Sequence, residues 1–334
     1  MSNLLRTKFV SSLVMGLIAL SHPSCGSQSN STVKAQIDPL ATDFKIGRGI
    51  NILSGQALGD CIQTPASIPA FDTEGKQSTL TIGKIESSQD LFKQMGMAAK
   101  AKYTTWDGTT GGKTSFTDQF SINRQSLYLY INVKVSNPLF TVSDVSLKQD
   151  AVNLFNTQGA EAFRNACGDE FVRSFTSGGE FIAVLEIKTE NEAHKKEIDA
   201  SIKGSYGVSS GGISFSQKLE EAISSNKTDL YIYQSGGSFE HASLSADALM
   251  TKAINYPASI TINNSRPIIA FTAPYKTLLN FPAGPSDLDI YVKEKVLNQL
   301  ANDDLVLSDM LADVNYLLTE DNNLPNDAAY IAKL

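Results

Sequence analysis

The stretch that decides the fold is Cys167-Gly168-Asp169-Glu170-Phe171-Val172-Arg173-Ser174-Phe175-Thr176-Ser177-Gly178-Gly179. It continues as Glu180-Phe181-Ile182-Ala183-Val184-Leu185-Glu186-Ile187. A helix-like run ends at Gly168, and a β-type segment of about sixteen residues follows, where five or six is usual. Gly178 and Gly179 interrupt this segment near its middle. Glycine inside a strand gives up side-chain packing, so it usually marks a bend, a bulge or a close approach of two backbones. The stretch therefore predicts one long strand in a bent sheet.

The N-terminus has the pattern of an export signal over residues 1–24. Arg6 and Lys8 precede an apolar run from Val10 to Leu20 that is too short to span a bilayer as a mature helix. Cleavage after Ser21 is one interpretation, and lipid attachment to Cys25 is the other. Residues 25–41 are rich in Ser, Gln, Asn and Thr, which predicts a flexible leader. We expect the mature protein to be secreted or anchored at the cell surface.

Charge and cysteine content limit the partners. The formal net charge is −7, and removal of the two positive charges of the signal takes it to −9. No basic block is present, so we expect no binding to nucleic acid. Cys61 and Cys167 remain after processing, and two cysteines in an exported protein most often form a disulfide. The alternative is zinc, which would require His194 and His241 as further ligands.

Two long polar segments separate the predicted strands. The β-rich stretches are Ser78–Ile85, Leu127–Val135, Phe171–Ile187 and Leu230–Gln234. The polar segments cover roughly residues 87–126 and 188–229; each begins with a charged, helix-like part, passes through a Gly/Ser/Thr-rich centre and ends in a partly alternating run. Segments this long inside a compact domain are normally functional or disordered. Residues 144–166 and 287–318 are predicted to be helical.

No coherent enzyme site emerges from the sequence. Gly207-Val208-Ser209-Ser210-Gly211 matches the pattern of a nucleophile elbow, but it lacks the apolar strand that must precede one. Gly111-Gly112-Lys113-Thr114 lacks the first glycine of a phosphate loop, because that position is Asp107. Asp169 and Glu170 are adjacent on a strand and point to opposite faces, so we expect capping or surface roles. The sequence predicts a protein that is not an enzyme and needs no cofactor and no metal.

The pattern resembles the membrane-attack-complex/perforin (MACPF) family of pore-forming proteins. Gly168, Phe171, Gly178 and Gly179 match the spacing of the family signature, whereas Cys167, Asp169 and Glu170 replace its aromatic residue and its Thr-His pair. The opening from Gly47 to Leu53, the segment from Tyr231 to Gly237 and the close from Pro267 to Tyr275 are also similar. The resemblance covers roughly residues 42–300.

The resemblance implies an α+β fold with a bent, four-stranded antiparallel sheet flanked by two helical clusters. It places a MACPF-like domain at residues 42–318, including the helical C-terminal part, with a tail at residues 319–334. It implies that Gly178-Gly179 is a hinge and that both helical clusters insert into a membrane as amphipathic β-hairpins. Candidate insertion residues are Phe116, Phe120, Ile122, Val208, Ile213 and Phe215.

The leading hypothesis is an exported toxin or effector whose copies assemble into a ring on the membrane of a target cell and form a β-barrel pore. Its partners would be a membrane lipid or surface receptor and further copies of itself. The alternative is a non-lytic surface lipoprotein that uses the same scaffold for adhesion or protein binding.

Overall fold

The computed structural model describes residues 32–37, 45–64, 75–103, 111–203, 213–238, 245–284 and 288–319. The predicted signal, Cys25, Val208 and the tail beyond residue 319 lie outside the described residues. The strands are β1 (Thr32–Ile37), β2 (Arg48–Ile50), β3 (Ala57–Asp60), β4 (Ile62–Gln63), β5 (Gln77–Ile85), β6 (Ser126–Ser136), β7 (Phe140–Thr141), β8 (Ser146–Leu147), β9 (Glu170–Lys188), β10 (Thr228–Ser235) and β11 (Arg266–Pro274). The α-helices are α1 (Ser88–Gln94), α2 (Gly111–Thr117), α3 (Gln149–Cys167), α4 (Glu192–Lys203), α5 (Ile213–Ser225), α6 (Ala246–Ser259) and α7 (Leu288–Thr319); 3₁₀ turns cover Ala99–Tyr103, Ile262–Asn264 and Tyr275–Thr277.

The four predicted strands are confirmed as β5, β6, β9 and β10, which lie side by side in that order and are antiparallel. The prediction of a four-stranded sheet is wrong, because the sheet contains nine strands among the described residues. The reason is the 19-residue length of β9, which extends well past its long neighbours. Its first half needs partners of its own, and β2, β7 and β11 supply them.

The neighbours of β9 change at Gly178-Gly179, which we call the glycine pair. On one edge, β10 pairs with residues 180–187 and β11 pairs with residues 170–178. On the other edge, β6 pairs with residues 178–188, and the short strands β7 and β2 follow. The glycine pair therefore joins two differently partnered halves of one strand.

The two sides of the sheet differ in chemistry. Successive residues of a strand point to opposite faces, so the aliphatic residues of β6 lie on one face and its tyrosines on the other. The aliphatic face, which includes Leu127, Leu129, Ile131, Val133, Val135 and Leu185, packs against α4, α5 and α6. The tyrosine face, which includes Tyr128, Tyr130, Tyr231 and Tyr233, packs against α1, the 3₁₀ turn Ala99–Tyr103, α2 and α7.

The two polar segments fold as helices on opposite faces of the sheet. The first insert, residues 86–125, lies between β5 and β6 and contains α1 and α2; the second insert, residues 189–227, lies between β9 and β10 and contains α4 and α5. The predicted helical openings of both segments are confirmed. The alternating run expected around Ile213 and Phe215 is instead part of α5. Buried apolar side chains at Phe215, Leu219 and Ile223 recur every four residues, which suits one face of a helix.

The chain termini of the described fold add two elements. β1 pairs in parallel with β10, so residues 32–37 of the expected flexible leader form a strand. The backbone of β10 accepts this additional partner because its outer edge is otherwise open in the described part of the sheet. At the other end, the helix expected over residues 287–318 is present as α7.

Candidate functional site

The glycine pair occupies a crowded position where no side chain fits. A Cβ atom on Gly178 would lie 1.9 Å from the carbonyl oxygen of Val135, and one on Gly179 would lie 2.2 Å from Ile260 Cδ1 and 2.5 Å from the Tyr256 hydroxyl. That hydroxyl donates to the carbonyl oxygen of Ser235 at 2.7 Å. The sequence-level interpretation of a close backbone approach therefore agrees with the structure.

The start of β9 is fixed to the opening segment of the domain. Gly168 has φ +87°, and a Cβ atom there would lie 2.5 Å from the carbonyl oxygen of Ile50. Phe171 is completely buried, and its ring centre lies 5.3 Å from that of Tyr275. The Tyr275 hydroxyl donates to the carbonyl oxygen of Cys167 at 2.8 Å. Gly168, Phe171 and Tyr275 thus hold the start of β9 against the opening segment of the domain, which the first insert also reaches, because Lys100 Nζ donates to the carbonyl oxygen of Ile52.

Asp169 and Glu170 are half-buried and bound to neighbouring elements, whereas we expected capping or surface roles. Asp169 accepts a hydrogen bond from the Ile52 N–H at 3.1 Å and lies 2.9 Å from Arg164 Nε. Glu170 accepts from the hydroxyls of Thr272 and Tyr291. The two carboxylates have separate partners, so they tie neighbouring elements together and form no cooperating acid pair. These roles depend on which neighbouring elements the two side chains can reach. The alternation of residues along a strand does not reveal those contacts.

The predicted disulfide between Cys61 and Cys167 is confirmed. It joins the segment between β3 and β4 to the last residue of α3, across 106 residues of sequence. Cys167 is fully buried in a cluster with Phe163, Phe171 and Tyr275. The bond therefore links the opening segment of the domain directly to the start of β9.

The first insert contacts the tyrosine face through aromatic rings and hydroxyl groups. Phe116 is fully buried and Ile122 is 2% exposed, while the ring centre of Phe120 lies 4.5 Å from that of Tyr231. The Tyr130 hydroxyl donates to the carbonyl oxygen of Gln94 at 2.8 Å, at the end of α1. Burial raises the pKa of Tyr130, which further favours the protonated hydroxyl that donates this hydrogen bond.

A buried ion pair connects the first insert to β9 beside the glycine pair. Lys113 Nζ, on α2, lies 2.5 Å from Glu180 Oε2, and the two side chains are 7% and 2% exposed. Lys113 Nζ also donates to the carbonyl oxygen of Met95 at 3.0 Å. The other oxygen of Glu180 accepts from Asn132 Nδ2 at 3.2 Å. Among the ion pairs of the described residues, this one is the most buried.

Helix α7 holds the outer side of the first insert through an acidic row. The measured contacts are Lys102 Nζ to Asp304 Oδ2 (2.5 Å), Arg124 Nε to Asp313 Oδ2 (3.3 Å) and the Ser88 N–H to Asp309 Oδ2 (2.9 Å). The Tyr103 hydroxyl also donates to Asp304, at 2.6 Å, and this hydrogen bond raises the pKa of Tyr103 to about 12. The first insert is therefore held between the tyrosine face and α7.

The second insert is attached mainly by apolar contacts. Ile198 and Ile202 of α4, with Phe215, Leu219 and Ile223 of α5, belong to the cluster on the aliphatic face. Phe215 is 1% exposed. One ion pair reinforces the attachment, with Lys84 Nζ of β5 2.9 Å from Asp199 Oδ2 of α4. The candidate residues Phe215 and Phe116 thus lie against opposite faces of the sheet.

The described ranges of the chain contain no group of three or more His, Cys, Asp or Glu arranged to hold a metal ion. Within the same ranges, no helix is both long enough and apolar enough to cross a membrane. Ser209, in the rejected nucleophile-elbow pattern, lies outside the described residues.

Sequence reasoning missed the Lys113–Glu180 pair and the acidic row of α7. The local pattern that includes Lys113 is an incomplete phosphate loop, which indicates no partner for its side chain. Glu180 is a charged residue that interrupts an otherwise apolar run after the glycine pair, and that interruption was the available signal. Its partner lies in a different element far away in the sequence, so no local pattern pairs the two.

Comparison with known proteins gives likenesses of structure only. No protein-family model and no curated protein matches the sequence. Matching structures include stonustoxin (TM-score 0.44, 11% identity, covering 83% of this chain and 36% of that chain), GNIP1Aa from Chromobacterium piscinae (0.41, 13%, 80% and 57%) and astrotactin-2, a vertebrate-specific perforin-like membrane protein (0.40, 9%, 78% and 45%). The chain thus spans 36–57% of the lengths of these three structures.

Proposed function

We propose that this is an exported pore-forming protein whose copies assemble into a ring on a target membrane. Each copy extends its two inserts into amphipathic β-hairpins, and the hairpins of the ring form a transmembrane β-barrel. The partners are a lipid or surface receptor of the target cell and further copies of the same chain.

The position of the inserts at one end of the sheet is the observation that carries this proposal. Ile85 ends β5, Ser126 begins β6, Lys188 ends β9 and Thr228 begins β10. The strand register places these four residues within two rows of one another. Extension of both inserts would therefore continue four adjacent strands in the same direction, without any change in the order of the strands.

The second insert has a pattern that fits both a helix and a membrane strand. Along residues 198–208, apolar Ile198, Ala200, Ile202, Tyr206 and Val208 alternate with polar Asp199, Ser201, Lys203 and Ser205. A spacing of four residues returns to the same face of a helix and also to the same face of a strand. The run has the length of about 9–11 residues that a membrane-crossing strand needs.

The first insert has a comparable pattern. Met95, Met97, Ala99, Ala101 and Tyr103 alternate with a row that contains Lys100 and Lys102. On the returning side, Phe116, Phe120 and Ile122 fall on one face of an extended chain. The first insert therefore supplies an outgoing and a returning strand, and in the second insert Ile213 and Phe215 fall on one face of the returning side.

A ring follows from the hydrogen bonding of an extended sheet. Within a bilayer every backbone N–H and C=O group needs a partner from the protein, so an open sheet edge is not tolerated. Two hairpins from one copy leave two open edges. Neighbouring copies supply the missing partners, and closure of the ring removes the last edges.

Locking the second insert to the sheet tests the proposal. In a Cys25→Ser background, Lys84→Cys and Asp199→Cys are joined by a short bismaleimide linker, and joining is verified by mass. We expect the unlinked double variant to release dye from liposomes of target-cell lipid and the linked protein to release none. The matched control links Asp289→Cys to Lys293→Cys, which form an exposed ion pair one turn apart within α7, and should leak normally.

Leakage from fully linked protein would overturn the insertion mechanism. Absence of leakage from every variant and from the wild-type protein, together with a lipid-modified Cys25 in the wild-type protein, would favour the non-lytic surface lipoprotein instead. Mass spectrometry of the mature N-terminus identifies that modification.

A further inference from the structure

Lys113 connects three elements through one ammonium group. It belongs to α2, it donates to the carbonyl oxygen of Met95 at the end of α1, and it pairs with Glu180 of β9. The last carbonyl groups of a helix lack partners within the helix, so a buried ammonium group beside them is stabilising. Loss of the contact with Glu180 would therefore loosen both helices of the first insert from the sheet.

Glu180 is the residue directly after the glycine pair, so its position follows the local geometry of β9. It is cross-strand neighbour to Lys134 of β6, and directly opposed residues have Cβ atoms about 4.5–5.5 Å apart. Burial lowers the pKa of the half-buried Lys134, the Glu180 carboxylate raises it, and the Lys113 charge lowers it. The carboxylate thus lies between two lysines, one from the first insert and one from the sheet itself.

This arrangement gives Glu180 a second partner when the first one leaves. A buried carboxylate without a counter-charge is strongly unfavourable, and Lys134 stays beside Glu180 for as long as β6 and β9 remain paired. Repulsion between Lys113 and Lys134 also weakens the resting contact. The two lysines therefore act in opposite directions: Lys113 favours the docked insert, and Lys134 favours the released one.

We propose that Lys113 and Glu180 form a latch, an ion pair that positions the first insert on β9 beside the glycine pair. When the insert is released, Lys134 replaces Lys113 as the ion-pair partner of Glu180. Lys113, Glu180 and Lys134 are positioning residues in this account. The proposal rests on the proposed pore-forming function for its biological meaning, but the latch is a property of the soluble single copy.

Hydrogen–deuterium exchange of the soluble protein, read by mass spectrometry, tests the latch. Lys113→Met should accelerate exchange in α1 and α2 by more than ~10-fold relative to wild type, because an unpaired buried carboxylate favours opening. Exchange in α4 and α5 should not change. Lys134→Met should slow exchange in α1 and α2. Glu180→Gln, which keeps the side-chain shape, should accelerate exchange there if Lys113→Met fails to fold.

Lys188→Met provides the matched control, since Lys188 forms an ion pair with Asp229 at the far end of β9. It should leave the first insert unchanged. The latch would be overturned if Lys113→Met or Glu180→Gln accelerated hydrogen exchange equally in both inserts. It would also be overturned if Lys134→Met accelerated exchange in the first insert.

Liposome leakage measured on the same variants separates this inference from the proposed function. The latch predicts faster leakage for Lys113→Met and slower leakage for Lys134→Met. If hydrogen exchange changes as predicted but no protein causes leakage, the latch is supported and pore formation is contradicted. Leakage without the exchange changes would contradict the latch alone.

Discussion

At the scale of single residues, glycine and glutamate at neighbouring positions of β9 have different tasks. The glycine pair allows Val135, Ile260 and Tyr256 to come closer to the strand than any side chain would permit. Glu180 then places a buried charge at the same point. The combination makes this position of β9 structurally demanding and sensitive to both volume and charge.

Gly179→Ala should destabilise the protein, because the added Cβ atom meets Ile260 and the Tyr256 hydroxyl. Overpacking of this kind costs about 1–3 kcal/mol in free energy of unfolding, which urea denaturation measures. The control is Gly83→Ala in β5, where a Cβ atom meets nothing within 4 Å; it should be neutral or slightly stabilising. Equal effects of the two substitutions would contradict the close approach at the glycine pair.

At the scale of elements, the two inserts are held by different forces. The second insert rests on the aliphatic face, where apolar burial dominates. The first insert is held by tyrosine hydroxyls, a buried ion pair and the acidic row of α7. We therefore expect the first insert to be the one whose attachment responds to pH.

Asp304→Asn tests the pH dependence of α7 attachment. Hydrogen bonds from Lys102 and Tyr103 lower the pKa of Asp304 below its ordinary value of 3.8. The unfolded state then binds the proton more readily, so the stabilisation is present at neutral pH and is lost as the pH falls below that value. Because the pair is partly exposed, the expected loss of unfolding free energy at pH 7 is below about 1 kcal/mol.

Urea unfolding of wild type and Asp304→Asn at pH 7 and at pH 3 measures this difference. We expect it to shrink at pH 3, whereas Asp303→Asn at the neighbouring exposed position should change little at either pH. A difference that stays constant with pH would contradict the ionic attachment.

Sequence patterns predicted the elements better than their contacts. The β-rich stretches of the sequence identified β5, β6, β9 and β10, and the glycine pair correctly marked a close approach. Five further strands of the described sheet, β1, β2, β3, β7 and β11, were missed because they are short or pair with residues far along the chain. The Lys113–Glu180 contact was missed because tertiary packing alone brings those residues together. The disulfide was predicted because exported proteins seldom leave two cysteines unpaired.

At the scale of the whole molecule, one sheet carries two helical inserts on opposite faces that emerge from the same end. The disulfide and the close packing of Gly168 against Ile50 brace the other end of the sheet. In the proposed mechanism the braced end stays folded while the opposite end lengthens into the membrane. In this mechanism, the same segments are helical in the soluble protein and become strands in the membrane.

A fluorescence scan of the second insert tests that central claim most directly. Single cysteines at each position from 198 to 208, in a Cys25→Ser background, carry an environment-sensitive dye, and emission is compared with and without liposomes. We predict an alternating pattern in membranes, with lipid-like emission at Ile198, Ile202 and Val208 and water-like emission at Asp199 and Lys203. Emission that is unchanged by liposomes, or that keeps the three-to-four-residue period of a helix, would contradict conversion of the insert into membrane strands.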